Sequence, residues 1–341
     1  MKAYTRRRLL ASVKLGVAAV PFMVAMRLLR GDPLTPGAFL LGFGMGFVVG
    51  VAELFWLRHR LKNLGFFAHL AAKSLIIVSL TWLAFVVLNL LDVAIEGIPW
   101  SDYVRAITEP ALVAALFQML GVIAFLLFFV QLDRLLGPGI LLGYVTGRYH
   151  HPRREERIFM FLDLKGSTSI ADRLEADKYF GFLHHYFTEM SEPILETDAE
   201  IYQYVGDEVV LTWRMRAGLE EAACIRAFFL IEDQIRRNRE LFMSRYGVVP
   251  EFKAGVHAGL VITAQIGELK SEIVYNGDVL NTAARIQAAC GELGRKLLVS
   301  ASLVDRLALG SPYVVERLGP TRLRGKEEPI ELCAVSLAES N

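Results

Sequence analysis

The fold of the C-terminal half of this chain is decided by Phe161-Leu162-Asp163-Leu164-Lys165-Gly166-Ser167-Thr168. The apolar run from Ile158 to Leu162 predicts a strand, and Asp163 stands where that strand ends. A glycine turn and a helix that begins near Ser167 follow, which would leave backbone N–H groups free to bind phosphate. The stretch therefore predicts a carboxylate beside a phosphate-binding turn.

A second acidic turn, Gly206-Asp207, follows about forty residues later. The residues on both sides of it, 201–205 and 208–212, are strand-like, so the pattern predicts a hairpin with Asp207 at its tip. Alternation along the second strand predicts that Glu208 faces away from Asp207. Carboxylates are ligands that Mg²⁺ prefers, so Asp163 and Asp207 beside a phosphate-binding turn indicate metal-assisted nucleotide chemistry.

The N-terminal half carries most of the apolar residues of the 341-residue chain, which is 54% hydrophobic. Three stretches of eighteen to twenty residues have no formal charge, close to the roughly 20 residues that cross a bilayer. An earlier stretch contains Lys14 and Pro21 and is either a further span or a signal peptide; without a small-residue cleavage site after it, we expect a retained span. The sequence predicts a membrane domain at 1–130 with about four transmembrane helices, at 9–29, 34–56, 67–91 and 111–131.

Charges predict the orientation of this domain. Basic residues cluster at 2–8, 58–62 and 148–157, whereas the loop at 92–110 carries four acidic residues. The positive-inside rule therefore places both termini in the cytoplasm. The expected location is the cell inner membrane, with a multi-pass N-terminal half in the lipid bilayer and the C-terminal half in the cytoplasm.

Other charged residues exclude some functions. The formal net charge is +1 and the 37 basic residues are spread along the chain, so we expect no nucleic-acid partner.

Glu53 and Lys73 lie close to the ends of the predicted spans. Their side chains are expected to reach the membrane surface, and a functional intramembrane charge is the alternative.

Residues 131–157 form the predicted linker. Gly137-Pro138-Gly139 should break any helix that leaves the membrane domain, and the apolar stretch 140–149 is a candidate for relaying a signal. Beyond it, residues 158–336 alternate between strand and helix patterns, which predicts an α+β domain. That pattern includes one long helix near 218–245 and two strands near 252–257 and 260–265.

Three further motifs follow the two aspartate motifs, and the five motifs occur along the chain in the same order as in one known family. They are Lys253-Ala254-Gly255-Val256-His257-Ala258-Gly259, Gly277-Asp278-Val279-Leu280-Asn281-Thr282-Ala283-Ala284-Arg285 and Leu323-Arg324-Gly325-Lys326. Residues 155–336 resemble the catalytic domain of class III nucleotide cyclases, and the whole chain resembles membrane-anchored bacterial adenylate cyclases. The resemblance implies an all-α transmembrane bundle followed by an α+β domain of the ferredoxin-like, palm type.

This resemblance also implies a reaction, in which the ribose 3′ oxygen of ATP attacks the α-phosphate and gives 3′,5′-cyclic AMP and pyrophosphate. Two Mg²⁺ or Mn²⁺ ions per site would be held by Asp163, Asp207 and the carbonyl group of Leu164. The nucleotide would contact the turn after β-strand residue 164, which consists of Lys165, Gly166, Ser167 and Thr168. A role for Asp163 as a helix cap alone is the alternative.

The resemblance assigns the remaining chemistry to three residues. Asn281 and Arg285 are four residues apart on one helical face, where they would orient the ribose and stabilise charge on the α-phosphate. Lys326 would bind the β- or γ-phosphate. In the family the aspartates belong to one subunit and these three residues to the other, so the resemblance implies a homodimer. A solvated polar face and an ordinary surface lysine are the alternatives.

The positions that read the base in this family are Gln203 and Val274 here. They differ from the Lys and Asp of mammalian-type adenylate cyclases and from the Glu and Cys of guanylate cyclases. Gln203 can pair with adenine or guanine, and Val274 contributes only shape. We expect ATP from the overall resemblance; the alternatives are a guanylate cyclase and a catalytically silent membrane receptor with a cyclase-like interaction domain.

Overall fold

The computed structural model of the chain describes residues 3–30, 36–53, 65–96, 99–101, 104–105, 110–136, 140–269 and 271–338. The chain divides into two compact units, Met1–Leu136 and Gly137–Asn341. The helix-breaking segment 137–139 and the basic residues 58–62 lie outside the described residues.

Long helices build the N-terminal unit: α1 (Ala3–Arg30), α2 (Pro36–Val51), α3 (Phe66–Glu96) and α4 (Pro110–Leu136). Helices α1 and α2 pack closely at glycines. A Cβ atom on Gly46 would lie 2.4 Å from the carbonyl oxygen of Leu15, and one on Gly50 would lie 2.7 Å from Cα of Ser12. Among the residues that the structure describes, the buried hydrophobic core of this unit includes Ala19, Val49, Ile77, Val122, Ile123, Leu126 and Leu127.

The expected transmembrane bundle is not supported. Helices occupy the regions where spans were expected, but within the described residues no helix is both long enough and apolar enough to cross a membrane. Helix α1 carries basic residues in its first turns and at its end, and Lys14 between them.

Glu53 and Lys73 do not reach a surface, which corrects the expectation for these two charges. Both side chains are fully buried, and Nζ of Lys73 donates to both carboxylate oxygens of Glu53 at 2.7 Å. Mutual pairing satisfies charges that would otherwise be costly to bury. The two residues therefore form an internal ion pair of the N-terminal unit.

The C-terminal unit is built around one sheet. Its elements are α5 (Ile140–Val145), β1 (Arg153–Leu164), α6 (Ser167–Arg173), α7 (Ala176–Glu196), β2 (Glu200–Val205), β3 (Glu208–Arg214), α8 (Met215–Leu219), α9 (Ala223–Arg237), α10 (Arg239–Tyr246), β4 (Phe252–Ile266), β5 (Glu272–Asn276), α11 (Asp278–Glu292), β6 (Leu297–Ser300), α12 (Ala301–Val304), β7 (Tyr313–Thr321) and β8 (Ile330–Leu337). The strand order is β2-β3-β1-β4-β6-β8-β7, with β5 also paired to β4. Because β4 and β6 are parallel and the other pairs antiparallel, the sheet is mixed. The α+β prediction for this unit is confirmed.

Alternation along β1 places the site on one face of the sheet. The even-numbered side chains from 158 to 164 lie in the main core, which also contains buried residues of α7 and α9. Phe159 and Phe161 point to the other face and pack with Ala283 of α11. Because Asp163 continues the odd-numbered series, it lies on the α11 face at the end of the strand.

Two elements differ from the sequence predictions. The long helix expected near 218–245 is divided into α8, a 3-10 turn, α9 and α10. Glu221 and Ala222 interrupt it with positive φ angles of 49° and 51°. The two strands expected near 252–257 and 260–265 are one strand, β4, because Ala258 and Gly259 keep their pairing with β1.

Candidate active site

Asp163 lies at the end of β1, between two neighbouring strands. Its pairing partner in β4 is Lys253, and on the other side the pairing of β1 with β3 ends one residue earlier, at Leu162 and Val209. The Oδ2 atom of Asp163 accepts a hydrogen bond from Nε2 of Gln287 at 2.9 Å and lies 3.5 Å from Nζ of Lys253. The carboxylate is therefore held by an amide and an ammonium group of its own chain.

Asp207 lies at the tip of the expected hairpin. Val205 pairs with Glu208 across the turn, and Gly206 has a φ of 63°, a left-handed conformation that glycine adopts without steric cost. The Oδ2 atom of Asp207 is buried, and no described group forms a hydrogen bond with it. A buried carboxylate oxygen without a donor is costly, so this atom is a position where a cation would be stabilised.

The carboxylates around Asp163 repel one another. Burial and the negative charge of Asp207 raise the pKa of Asp163, while Lys253 and the hydrogen bond from Gln287 act in the opposite direction. Burial, Asp163 and Asp207 together raise the pKa of Glu208 to about 7. A site that disfavours its own negative charges in this way is suited to binding positive charge.

Glu208 is a third carboxylate near the two aspartates. It is the first residue of β3, directly after Asp207, and its charge interacts with both Asp163 and Asp207. The expectation that its side chain faces away from Asp207 stays a prediction.

The donors present fit a divalent cation. Asp163 and Asp207 offer hard carboxylate oxygens, one of them buried without a described donor. Leu164 has a buried side chain and pairs with Phe252 at the end of β1, directly beside Asp163. The predicted role of its carbonyl group as a further ligand stays a prediction.

The predicted phosphate-binding turn borders a cavity of about 540 Å³. Gly166 has a φ of 71°, and α6 begins at Ser167. Lys165 is anchored to Glu251, since its N–H donates to the backbone carbonyl at 2.8 Å and its Nζ to the carboxylate at 3.1 Å. The cavity is lined by Asp163, Leu164, Lys165, Gly166, Ser167 and Thr168, and by basic residues that include Lys253, Arg295 and Lys296.

The other predicted site residues, Asn281, Arg285 and Lys326, lie on α11 or in the loop that contacts it. Arg285 donates from Nη1 to the carbonyl oxygen of Gly325 at 2.8 Å, so it contacts the loop that carries Lys326. Nζ of Lys326 donates to Oδ2 of Asp278, and this contact lowers the pKa of the Asp278 carboxyl group. Asn281 is exposed on the same helix. The structure therefore places Arg285 beside the loop that carries Lys326, and the roles of both residues stay predictions.

The predicted base-reading positions lie at two strands next to aromatic residues. A register shift in β2 falls at Gln203, which is exposed, and Val274 in β5 is half-buried. The rings of Tyr202 and Tyr275, each adjacent in sequence to one of these positions, are 5.1 Å apart and edge-to-face. Arg157 is buried and lies 4.7 Å from the centre of the Tyr275 ring. Roles for Gln203 and Val274 in reading the base stay predictions.

Sequence reasoning missed several neighbours of the site. Lys253 was part of a motif but had no role, although its strand register places it opposite Asp163. Asp278 was likewise not connected with Lys326. Gln287 carried a usable signal, because it is a polar residue on the otherwise apolar face of α11 that contains Ala283, Ile286 and Cys290.

Comparison with known proteins gives the family. The profile of the adenylate and guanylate cyclase catalytic domain matches residues 150–334, more than half of the chain. The chain belongs to this family. The resemblance to class III nucleotide cyclases is thereby confirmed.

Curated relatives include adenylate cyclase 2 of Rhizobium meliloti (strain 1021), which is 36% identical over 211 residues, covering 62% of this chain and 58% of that protein. The adenylate cyclase of Anabaena cylindrica is 25% identical over 184 residues, covering 52% of this chain and 36% of that protein. This cyclase-family chain thus spans less than two thirds of either relative. A solved bacterial light-regulated adenylyl cyclase, 20% identical, has a similar fold, with a TM-score of 0.54 over 65% of this chain and 66% of that one.

Proposed function

We propose that this chain is an adenylate cyclase that converts ATP into 3′,5′-cyclic AMP and pyrophosphate. The observation that carries the proposal is the arrangement of Asp163 and Asp207. Burial and the charge of Asp207 raise the pKa of Asp163, and one buried oxygen of Asp207 has no described donor. Family membership and the adenylate cyclases among its relatives support the same activity.

Asp163 and Asp207 would hold two Mg²⁺ or Mn²⁺ ions, with the carbonyl group of Leu164 as a further ligand. When bound, such ions lower the pKa of the attacking ribose hydroxyl and neutralise charge on the polyphosphate. Lys253, 3.5 Å from Asp163, adds a fixed positive charge beside the same carboxylate. This charge lowers the pKa of Asp163, against the larger effects of burial and of Asp207, and so favours the ionised form that binds a cation.

The other residues would bind and orient the nucleotide. The turn at 165–168 lines the cavity of about 540 Å³, where the backbone N–H groups of Gly166, Ser167 and Thr168 would bind phosphate. Asn281 would hold the ribose, and Arg285 would donate two hydrogen bonds to charge that develops on the α-phosphate. Lys326, in the loop that Arg285 contacts, would bind the β- or γ-phosphate as a point charge.

The proposed active form is a homodimer. In the related cyclases that the sequence resembles, the aspartates come from one subunit and the Asn, Arg and Lys residues from the other. One chain here carries both sets, so a two-fold axis would create two equivalent shared sites.

Guanylate cyclase activity is the second candidate, and the base-reading positions favour it as much as the first. Gln203 can donate to and accept from either purine, and Val274 has no hydrogen-bonding group. ATP is proposed because of the overall resemblance and the adenylate cyclases among the relatives.

Turnover of ATP and GTP by the full-length protein tests the proposal. Each nucleotide is supplied with Mg²⁺ and with Mn²⁺, and the Asp163→Ala variant serves as the blank. We expect cyclic AMP from the wild-type protein and none above background from the variant. Cyclic GMP alone would reassign the substrate, and no cyclic nucleotide with either metal would favour the silent receptor.

Attachment to the inner membrane, with the C-terminal unit in the cytoplasm, stays a prediction from the sequence. The uncharged stretches of the N-terminal half and the distribution of its basic residues support it. Recovery of the protein in a membrane fraction after an alkaline carbonate wash is the expected result. Release into the supernatant by that wash would contradict it.

A further inference from the structure

Gln287 is a buried polar residue that contacts the proposed metal site from α11. Only 6% of the residue is exposed. Its Nε2 atom donates to Oδ2 of Asp163 at 2.9 Å, across 124 residues of sequence. A buried amide that donates to a carboxylate fixes the orientation of that carboxylate, because breaking the bond would leave both groups unsatisfied.

Close packing of α11 on β4 fixes the position of Gln287. A Cβ atom on Gly255 would lie 2.1 Å from the backbone nitrogen of Gln287 and 2.6 Å from the carbonyl oxygen of Ala283. Gly255 pairs with Phe161 of β1, two residues before Asp163. The helix backbone therefore rests directly on the sheet at this point, and the side chain of Gln287 starts from a fixed place next to the end of β1.

The two donors near Asp163 differ in charge and in distance. Nζ of Lys253 lies 3.5 Å from Oδ2, beyond a good hydrogen bond, whereas the amide of Gln287 lies at 2.9 Å. The amide of Gln287 and the ammonium group of Lys253 both approach Oδ2 of Asp163, so neither of them occupies Oδ1. An amide also carries no charge, so it orients the carboxylate without repelling a cation.

We propose that Gln287 is a positioning residue that holds Asp163 in the orientation in which it binds a divalent cation. The proposal rests on the metal site of the proposed function. Groups that hydrogen-bond metal ligands change metal affinity by roughly 10- to 100-fold when they are removed. Gln287 should therefore affect metal binding more than nucleotide binding.

Binding of Mn²⁺ to the nucleotide-free, full-length protein tests this role without any turnover. The free-ion EPR signal gives the dissociation constant for the wild-type, Gln287→Leu and Asp163→Ala proteins. Gln234→Leu is the matched control, because Nε2 of Gln234 also donates to a carboxylate, Glu189, at 2.9 Å on another helix. We expect roughly tenfold weaker Mn²⁺ binding in Gln287→Leu and no change in Gln234→Leu.

A second readout separates positioning from general loss of structure. In the cyclase assay, Gln287→Leu should raise the metal concentration needed for half-maximal activity and leave the KM for ATP at saturating metal within about twofold. If Gln287→Leu does not fold, as judged by its thermal unfolding, Gln287→Met takes its place, because it keeps the length of the side chain without a donor.

The outcomes distinguish this inference from the proposed function. An unchanged Mn²⁺ dissociation constant in a folded Gln287 variant overturns the inference, even when the protein makes cyclic AMP. Equal Mn²⁺ binding by the wild-type and Asp163→Ala proteins also overturns it. Mn²⁺ binding that depends on both Asp163 and Gln287, without a cyclic nucleotide product, would support the inference and refute the proposed function.

Discussion

Lys326 already has an anionic partner in the nucleotide-free chain. Its Nζ donates to Oδ2 of Asp278, which also accepts from Oγ1 of Thr282 at 3.2 Å. The Lys326 side chain is 18% exposed and the Asp278 side chain 70% exposed, so the pair lies at the protein surface. A phosphate group that binds Lys326 must therefore compete with the carboxylate of Asp278.

Asp278→Asn should lower the KM for ATP. The change removes the competing charge, and exposed ion pairs contribute at most about 1 kcal/mol, so we expect a decrease of about two- to fivefold. Steady-state kinetics at saturating metal would measure it. In a Lys326→Met background the same substitution should have a smaller effect. A raised KM in Asp278→Asn would mean instead that Asp278 positions Lys326.

Local sequence patterns predicted where the two aspartates lie, at a strand end and in a turn. They did not predict which side chains contact those aspartates. Asp163 ends an apolar run and Asp207 occupies a glycine turn, so a few adjacent residues were enough. The bond from Gln287 to Asp163 and the ion pair of Glu53 with Lys73 depend on which distant elements come together. Neither spacing nor alternation contains that information.

At the scale of elements, α5 and the turn after it contact the hairpin of β4 and β5. The hydroxyl group of Tyr144 donates to the carbonyl oxygen of Ser271 at 2.7 Å, and the carbonyl group of Tyr149 accepts from the N–H of Gln265 at 2.9 Å. After one residue, Gly277, β5 continues into α11, which carries Asn281 and Arg285. The segment after the N-terminal unit is thus linked to the proposed catalytic helix through a single strand.

Tyr144→Phe should loosen that strand. Removing one hydrogen bond of about 0.5–1.5 kcal/mol should make amide hydrogen exchange at 272–276 about two- to tenfold faster and should change the turnover number. Hydrogen exchange with mass spectrometry would measure the first effect. Tyr246→Phe is the matched control, since its hydroxyl group donates to the carbonyl oxygen of Gly181 at 3.1 Å, away from this hairpin. Equal exchange in both variants would argue against a relay.

At the scale of the whole molecule, the arrangement of α11 limits how a dimer can share its sites. Gln287, near the end of the helix, contacts Asp163 of the same chain. Arg285 contacts the Lys326 loop, also of the same chain. Each chain therefore carries both sets of residues, the carboxylates proposed to bind metal and the Arg285 and Lys326 side chains proposed to bind phosphate. A shared site requires one set from each of two chains.

Mixed dimers test this sharing. Asp163→Ala and Arg285→Ala chains, each inactive alone, should regain about a quarter of the wild-type turnover when they are produced together. The reason is that about half of the dimers formed by random pairing are mixed, and each mixed dimer has one intact site of two. Cyclic AMP production by the unsorted mixture would measure it, and mixed dimers isolated through two different tags should have about half of the wild-type turnover.

A second pair of variants shows whether the recovery has this cause. Asp163→Ala and Asp207→Ala each remove one of the two aspartates proposed to bind metal. Every site of their mixed dimer therefore lacks one aspartate and should stay inactive. Recovery in the first pair and none in the second is the pattern that only a site shared between two chains produces. Recovery in neither pair would mean that Asp163 and Arg285 act in the same chain, and each protomer would then hold a complete site.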